Sequence, residues 1–599
     1  MSQAEIVHPP RTQALCAGRF GVGLAIVTAL ACGVVLTLPL AQDVWTTGAF
    51  KDTDDAMRMV EVRDLLAGQG WYDMAAHRLA PPDGLFMHWS RVVDIPLALL
   101  MKTFGLFFAP PQAEAMTRLA FPLLMLAALY ASIARVAGLF GGAGVQILAV
   151  ALAFSTGPVF SQFVPGRIDH HAPQIVLLVL ASGGVIAALD RFRAKSMWLA
   201  GACIALSLSI SLENLPFFAV LIAVPVIGWI VCGARLGAAM GQLGLALAIA
   251  LPLAFLATVG PQRWTNTACD AYSAAHLTAG LAGAFGLIAL GALGGRFSRM
   301  SLRIAAAAVC GLAPLAVLAL VAPACLGDPF VGLDPLVRAI WLDHVTEIQK
   351  LSDLAATQPN AAIMLGAPLT AALLATLATA VFLADGEQRG RLAALCALIA
   401  AGLVMTFWGV RTFSSIAPMA SIGAASAVLA LLQRLAPASA LRPALAGLMC
   451  LPFAPMAYAI ALPGDKPAEA ARTAACLRPS AVVPLDRLPA GLVLAPIDAG
   501  AHILVFTHHS VIAAPYHRNN AGNRLSIDVF MAEPAAAAKI ARASGADYLL
   551  ACPAMARMQI MAERAPQGLA AALMAGRIPD WLEPLAIKAG PNTIYRIRR

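Results

Sequence analysis

Along most of this chain apolar positions run on without the two-residue alternation of a half-buried strand or the polar stripe of a surface helix. Such runs lie at 20–41, 116–137, 143–160, 173–189, 197–212, 216–233, 237–259, 277–294, 302–321, 362–383, 391–408, 414–432 and 441–462. A hydrocarbon core about 30 Å thick takes about 20 apolar residues of helix, so the pattern predicts about thirteen membrane spans. The stretch 95–108 is shorter and interrupted by Lys102, which places it in the membrane interface rather than across it. The first run follows Arg11 and Arg19 and is long enough to span, so it reads as an uncleaved first helix.

The polar links decide orientation. With the N-terminus in the cytoplasm, Arg191, Arg193, Lys195, Arg235, Arg296, Arg299, Arg303, Arg389, Arg391, Arg434 and Arg442 all fall on the inner side, as the positive-inside rule requires. The same alternation puts loops 42–115, 161–172 and 322–361 and the region 463–599 outside an inner (plasma) membrane, in the periplasm or extracellular space. That last region changes character, with β-rich runs at 491–495, 503–506, 511–514 and 547–550 and an Ala-rich helical stretch at 534–543. The expected fold class is therefore a polytopic α-helical membrane protein, 1–462, followed by an extracytoplasmic α/β domain, 463–599.

Composition narrows the class. Hydrophobic residues are 60% of the 599 and charged residues only 12%, which excludes a water-soluble globular chain and a disordered one. The formal charge of +9 resides largely in the inner links, so it reports topology and not a nucleic-acid surface. Seven of the 11 cysteines, Cys16, Cys32, Cys203, Cys232, Cys310, Cys396 and Cys450, lie in or beside apolar runs and read as packing residues. Cys269, Cys325, Cys476 and Cys552 fall outside the cytoplasm, where 269–325 and 476–552 disulfides are chemically permitted.

Candidate chemistry gathers where helices emerge on the outer face. Asp52, Asp54 and Asp55 stand within four residues, a density of hard oxygen donors that suits Mg²⁺ or Mn²⁺, or else the solvated start of an acidic loop. An amphipathic helix follows and ends at Gly70-Trp71-Tyr72. Asp169 and His171 in the short link 161–172 can both reach one divalent ion, although histidines at a helix start also serve as caps. Loop 322–361 carries Glu347, and Arg411 stands where a span meets the outer face, able to pair with a lipid phosphate or to snorkel to headgroups. Glu213, at another outer helix end, reads as a cap for the span after it rather than as an addition to the cleft. His508 and His517 give the C-terminal region a polar concentration that fits the acceptor side of a cleft or a plain polar loop.

In order and content these segments resemble the catalytic subunits of oligosaccharyltransferases, in the GT-C class of polyprenyl-phosphate-dependent glycosyltransferases. Asp54-Asp55 with the helix to Gly70-Trp71-Tyr72 is similar to the family's first acidic motif, and Asp169-His170-His171 to the second. His344-Val345-Thr346-Glu347-Ile348-Gln349 resembles the Ser-Val-Ser-Glu-type segment of the fifth external loop, and Arg411 stands at the family's phosphate-contacting basic position. The sequon-reading Trp-Trp-Asp-Tyr-Gly motif has no match. The nearest segment keeps only Asp498 and Gly500, which opens the acceptor to a lipid, a polysaccharide or another protein side chain.

The resemblance implies a membrane glycosyltransferase that moves a sugar or oligosaccharide from a polyprenyl-(pyro)phosphate donor to an extracytoplasmic acceptor, with inversion. Asp55, Asp169 and His171 would hold the divalent ion. Asp54, Asp55 and Glu347 would be the catalytic carboxylates, Arg411 would meet the donor phosphate, and Asp498, His508 and His517 would face the acceptor. The alternative, a transporter or flippase of lipid-linked sugars, calls for ionisable groups near the bilayer midplane among broken helices.

Overall fold

The computed structural model describes residues 11–189, 194–328, 330–436, 439–463 and 468–599. Arg191 and Arg193 of the inner links, and residues 464–467 of the region expected at 463–599, lie outside the described residues. The apolar runs are helical, but they are not all of span length. Among the described residues, nine helices are long and apolar enough to cross a membrane, or up to eleven if each of two bent pairs is one span. The bends, 75° after Ala143–Phe154 and 77° after Arg442–Phe453, come where Pro158 and Pro455 begin the following segment and cannot continue the ladder of the one before. Runs 173–189 and 197–212 fold as His171–Ala187 and Ala194–Ile210, each 17 residues. The expected thirteen is thus not confirmed by helix length, because a hydropathy window sees neither a proline break nor where a helix starts.

Helix α1 (Arg11–Thr47) leads to Gly48, whose φ of +72° makes the turn, and then to α2 (Thr53–Leu66). Asp52 caps α2, its side chain accepting from the Asp54 N–H, while Asp54 and Asp55 occupy the first turn, where carboxylates favour the helix dipole. The expected amphipathic helix is instead buried on every side from Asp55 to Val62. Helix α3 (Arg91–Phe104) packs beside it, and Arg58 reaches both Glu61 and Asp94 at 3.1 and 3.0 Å. Beyond α3, Leu106 and Phe107 are 77% exposed, an apolar edge of the kind expected for an interfacial segment.

The C-terminal region holds a five-stranded sheet made of β1 (Leu492–Leu494), β2 (Ser510–Val511), β3 (Tyr548–Ala551), β4 (Leu582–Pro584) and β5 (Thr593–Ile597), in the order β2-β1-β3-β5-β4. β1 is parallel to β2 and β3, and β5 is antiparallel to β3 and β4. Residues 503–506, expected as a strand, belong to the helix Gly500–Phe506. A short, wholly buried apolar run carries no period that tells strand from helix. The first external loop joins this sheet, with Val511 N–H donating to Arg78 O at 2.9 Å and Ala80 N–H to Val511 O at 2.8 Å. One buried apolar cluster accordingly contains Met57, Trp89 and Trp341 from the external loops together with Val493, Ile503 and Leu549.

Cys269 is bonded to Cys325 and Cys476 to Cys552. Cys203, Cys396 and Cys450 are buried, whereas Cys32 and Cys232 are exposed and so do not pack within the protein. The Cys16 side chain lies outside the described residues.

Candidate functional site

Arg167, in the link before His171–Ala187, sits at the centre of the acidic segments. Its Nη1 lies 3.0 Å from Asp52 Oδ2 and 3.1 Å from Asp55 Oδ2, and its Nη2 lies 3.6 Å from Asp169 Oδ2. The Arg167 and Asp55 side chains are only 5% and 0% exposed, so this cation offsets carboxylates that burial would otherwise neutralise. Asp55 also accepts from the Ile168 N–H at 2.8 Å. Burial, opposed by Arg167, pushes the Asp55 carboxyl up to about 6.

Asp54 is differently placed. Its backbone N–H belongs to the Asp52 cap, and among the described residues no hydrogen bond or ion pair reaches its carboxylate. Burial first, then the charges of Asp169, Asp52 and Glu347, hold it well above the usual carboxylate range. Of the two adjacent acids, one is therefore committed to holding the link 161–172 and the other stands free before the remaining anions.

On the far side of Asp169 a second set of charges closes the cluster. Asp169 Oδ1 accepts from the His170 N–H and lies 2.6 Å from His170 Nδ1. His171 Nε2 lies 3.4 Å from Asp169 Oδ2 and 3.6 Å from Glu347 Oε2, and its Nδ1 is 3.3 Å from Glu213 Oε2. Arg411 meets Glu213 Oε1 at 3.0 Å. Backbone bonds from Val410 to Gln349 O and from Arg411 to Glu347 O, at 2.9 and 3.1 Å, tie these two segments together. Glu213, expected as a simple helix cap, lies instead between both histidines and Arg411. Its turn is anchored below by Asn214, whose Nδ2 donates to Gln174 Oε1 at 2.7 Å. Of the cluster's members, Arg167 has no role in the sequence reading and Glu213 chiefly that of a cap. The signal for Arg167 was a lone cation inside an acidic motif; for Glu213 it was an acid at an outer helix end.

The donor set fits a divalent cation. One ligand atom from each of Asp169, His170 and His171 lies within 4.8 Å of the others. Asp169 Oδ2 is buried without a hydrogen-bond partner, the state a ligating oxygen leaves behind. Burial raises the Asp169 carboxyl, yet His170, His171 and Arg167 prevail and hold it well below its ordinary range. It stays ionised, as a metal ligand must.

The three expected acceptor-side residues do not form one group. Asp498 is paired with Arg557 at 3.4 Å, and burial, opposed by Arg557 and His344, raises its carboxyl. Gly500 follows because a Cβ there would meet Ala513 O at 2.0 Å, a packing reason for the glycine. His508 pairs with Asp486 at 2.6 Å with its side chain 45% exposed, and no contact joins it to the cluster among the described residues. His517 pairs with Asp270 at 2.7 Å. It reaches the cluster only through neighbours: His88 beside it, then Trp89, whose ring lies 6.4 Å from that of His170.

Comparison with known proteins bears on the fold. No protein-family model matches the sequence, and no curated protein matches it. Among solved structures, the chain is similar to the archaeal oligosaccharyltransferase AglB from Archaeoglobus fulgidus in complex with an inhibitory peptide and a dolichol-phosphate. There the TM-score is 0.67 at 13% identity, covering 94% of this chain and 73% of that one. An A. fulgidus oligosaccharyltransferase in complex with Zn and sulfate superposes with a TM-score of 0.61 at 14% identity over 91% of this chain and 70% of that one. The form tethered to an acceptor peptide containing the NVT sequon gives 0.63 at 15% over 96% and 74%. The chain has the fold of these archaeal oligosaccharyltransferases.

Proposed function

We propose that this chain is a membrane glycosyltransferase that transfers a sugar or oligosaccharide from a polyprenyl-(pyro)phosphate donor to an acceptor outside the cytoplasm. The observation that carries the reading is convergence. Asp54, Asp169, His171, Glu213, Glu347 and Arg411 come from five separate outer segments of the sequence, and they share one charge cluster. The dolichol-phosphate, peptide and zinc held by proteins of the same fold support a polyprenyl-linked donor, a peptide acceptor and a divalent ion here.

Asp54, Asp169 and His171 would hold the ion, with Glu347 beside them. This refines the ligand set expected from sequence, because Asp55 is already occupied by Arg167 and Ile168. When bound, a divalent ion supplies Lewis-acid stabilisation of the departing phosphate. Arg411 uses one N–H group toward Glu213 and has others for a charge-assisted contact to that phosphate. Asp54, through the carboxylate oxygen it does not give to the ion, is suited to orient the acceptor or take its proton. Attack opposite the leaving group then inverts the anomeric centre. Orientation with the N-terminus inside and residues 463–599 outside belongs to this reading, which needs the donor's lipid tail to stay in the bilayer.

A transporter or flippase would place its ionisable groups in mid-membrane, whereas the cluster occupies links and helix ends. The test is transfer of radiolabelled sugar from lipid-linked donors by the purified chain, with Mn²⁺ and then with EDTA, followed by identification of the labelled product. Metal-dependent label in peptide, lipid or polysaccharide supports transfer and names the acceptor. No metal-dependent label with any donor overturns it.

A further inference from the structure

Outside this cluster, three other segments meet. His88 comes from the first external loop and His517 from the C-terminal region, while Asp270 lies in the link 259–273 next to the disulfide-bonded Cys269. One ligand atom from each lies within 4.8 Å of the others. His517 Nε2 is 2.7 Å from Asp270 Oδ2, and the His88 and His517 rings are 4.7 Å apart, with Phe330 edge-on to His517 at 5.3 Å. Arg518 grips the same carboxylate from outside, Nε to Oδ2 at 2.7 Å and Nη2 to Oδ1 at 2.8 Å, and its Nη1 donates to Phe86 O and Met87 O.

An ion pair of His517, Asp270 and Arg518 accounts for two of the three residues and leaves His88 unexplained. The His88 ring lies against another imidazole, and its Nδ1 is buried with no hydrogen-bond partner. Two imidazoles and one carboxylate are a donor set that borderline cations take, zinc above all. A carboxylate held by an outer guanidinium has the second layer of contacts that orients metal ligands.

We propose that His88, Asp270 and His517 form a second divalent-cation site of the zinc class, which joins the first external loop, the link 259–273 and the C-terminal region. Its function is structural. The ion fastens the backbone on which Trp89 stands, and Trp89 packs against Tyr516 at 5.5 Å and His170 at 6.4 Å, so the site steadies one wall of the proposed catalytic cluster without taking part in it.

The experiment strips the purified full-length chain with EDTA, dialyses it against zinc chloride and counts zinc per chain by mass spectrometry for wild type, His88→Asn, His517→Asn and Asp169→Asn. Wild type is expected to retain about one equivalent more than either histidine variant, and that equivalent persists in Asp169→Asn, which separates this site from the first. Equal zinc in wild type and both histidine variants overturns the proposal. Since those variants can fold poorly, cobalt is also added to stripped Asp169→Asn. Visible absorption bands that zinc displaces support the site, and their absence overturns it.

Discussion

The adjacent acids Asp54 and Asp55 invite opposite outcomes from the same chemical change. Asp55→Asn keeps the shape and the acceptor for the Ile168 N–H but turns an amide toward the buried Arg167 guanidinium, 3.1 Å away. Breaking a fully buried ion pair costs about 3–5 kcal/mol. Arg167 retains the partly exposed Asp52 at 3.0 Å and Asp169 at 3.6 Å, so the expected loss falls to about 2–3 kcal/mol. Asp54→Asn removes a carboxylate that no hydrogen bond holds among the described residues and that three other anions oppose, so in EDTA its stability equals or exceeds that of wild type. With metal at a hundredfold over its dissociation constant, wild type gains about 2.7 kcal/mol by linkage, a gain that Asp54→Asn forfeits together with sugar transfer. The assay is the unfolding midpoint of each purified variant in detergent, with EDTA and then with Mn²⁺, beside turnover. If Asp54→Asn is destabilised in EDTA as much as Asp55→Asn, the division of labour between the two acids is wrong.

Arg411→Ala is expected to raise the KM for the lipid-linked donor about tenfold or more, the worth of one hydrogen bond to a charged group; an unchanged KM removes Arg411 from the phosphate. Glu61 lies in the buried network with Arg58 and Asp94, and burial, opposed by Arg58, holds its carboxyl above the ordinary range. The folded state therefore keeps a proton that the unfolded state has lost, so this contribution is full at acid pH and declines as pH rises through the raised pKa. Glu61→Gln should flatten that part of the stability profile, and an identical slope in wild type and variant refutes the assignment. Replacing Cys476 and Cys552 by serine frees a chain separation of 76 residues, which chain entropy values at about 4 kcal/mol; a midpoint unchanged by the double substitution shows that the bond adds nothing to folding.

What the sequence determined by itself is what depends on local composition. Apolar length marked the membrane helices, and carboxylates and histidines at outer helix ends marked the segments that carry chemistry. The 534–543 helix was legible because its alanines and flanking proline act within one turn. Tertiary structure decided what depends on who faces whom. Asp54 and Asp55 are chemically identical neighbours, and only Arg167, more than a hundred positions away, makes one a support and leaves the other free. Glu213 is an ordinary helix-end acid until two other segments bring His170, His171 and Arg411 around it. The helix at Gly500–Phe506 reads as a strand because burial on all sides erases the period that would distinguish the two. Electrostatics and burial are sums over neighbours in space, and a linear pattern contains the terms of those sums without the distances that weight them.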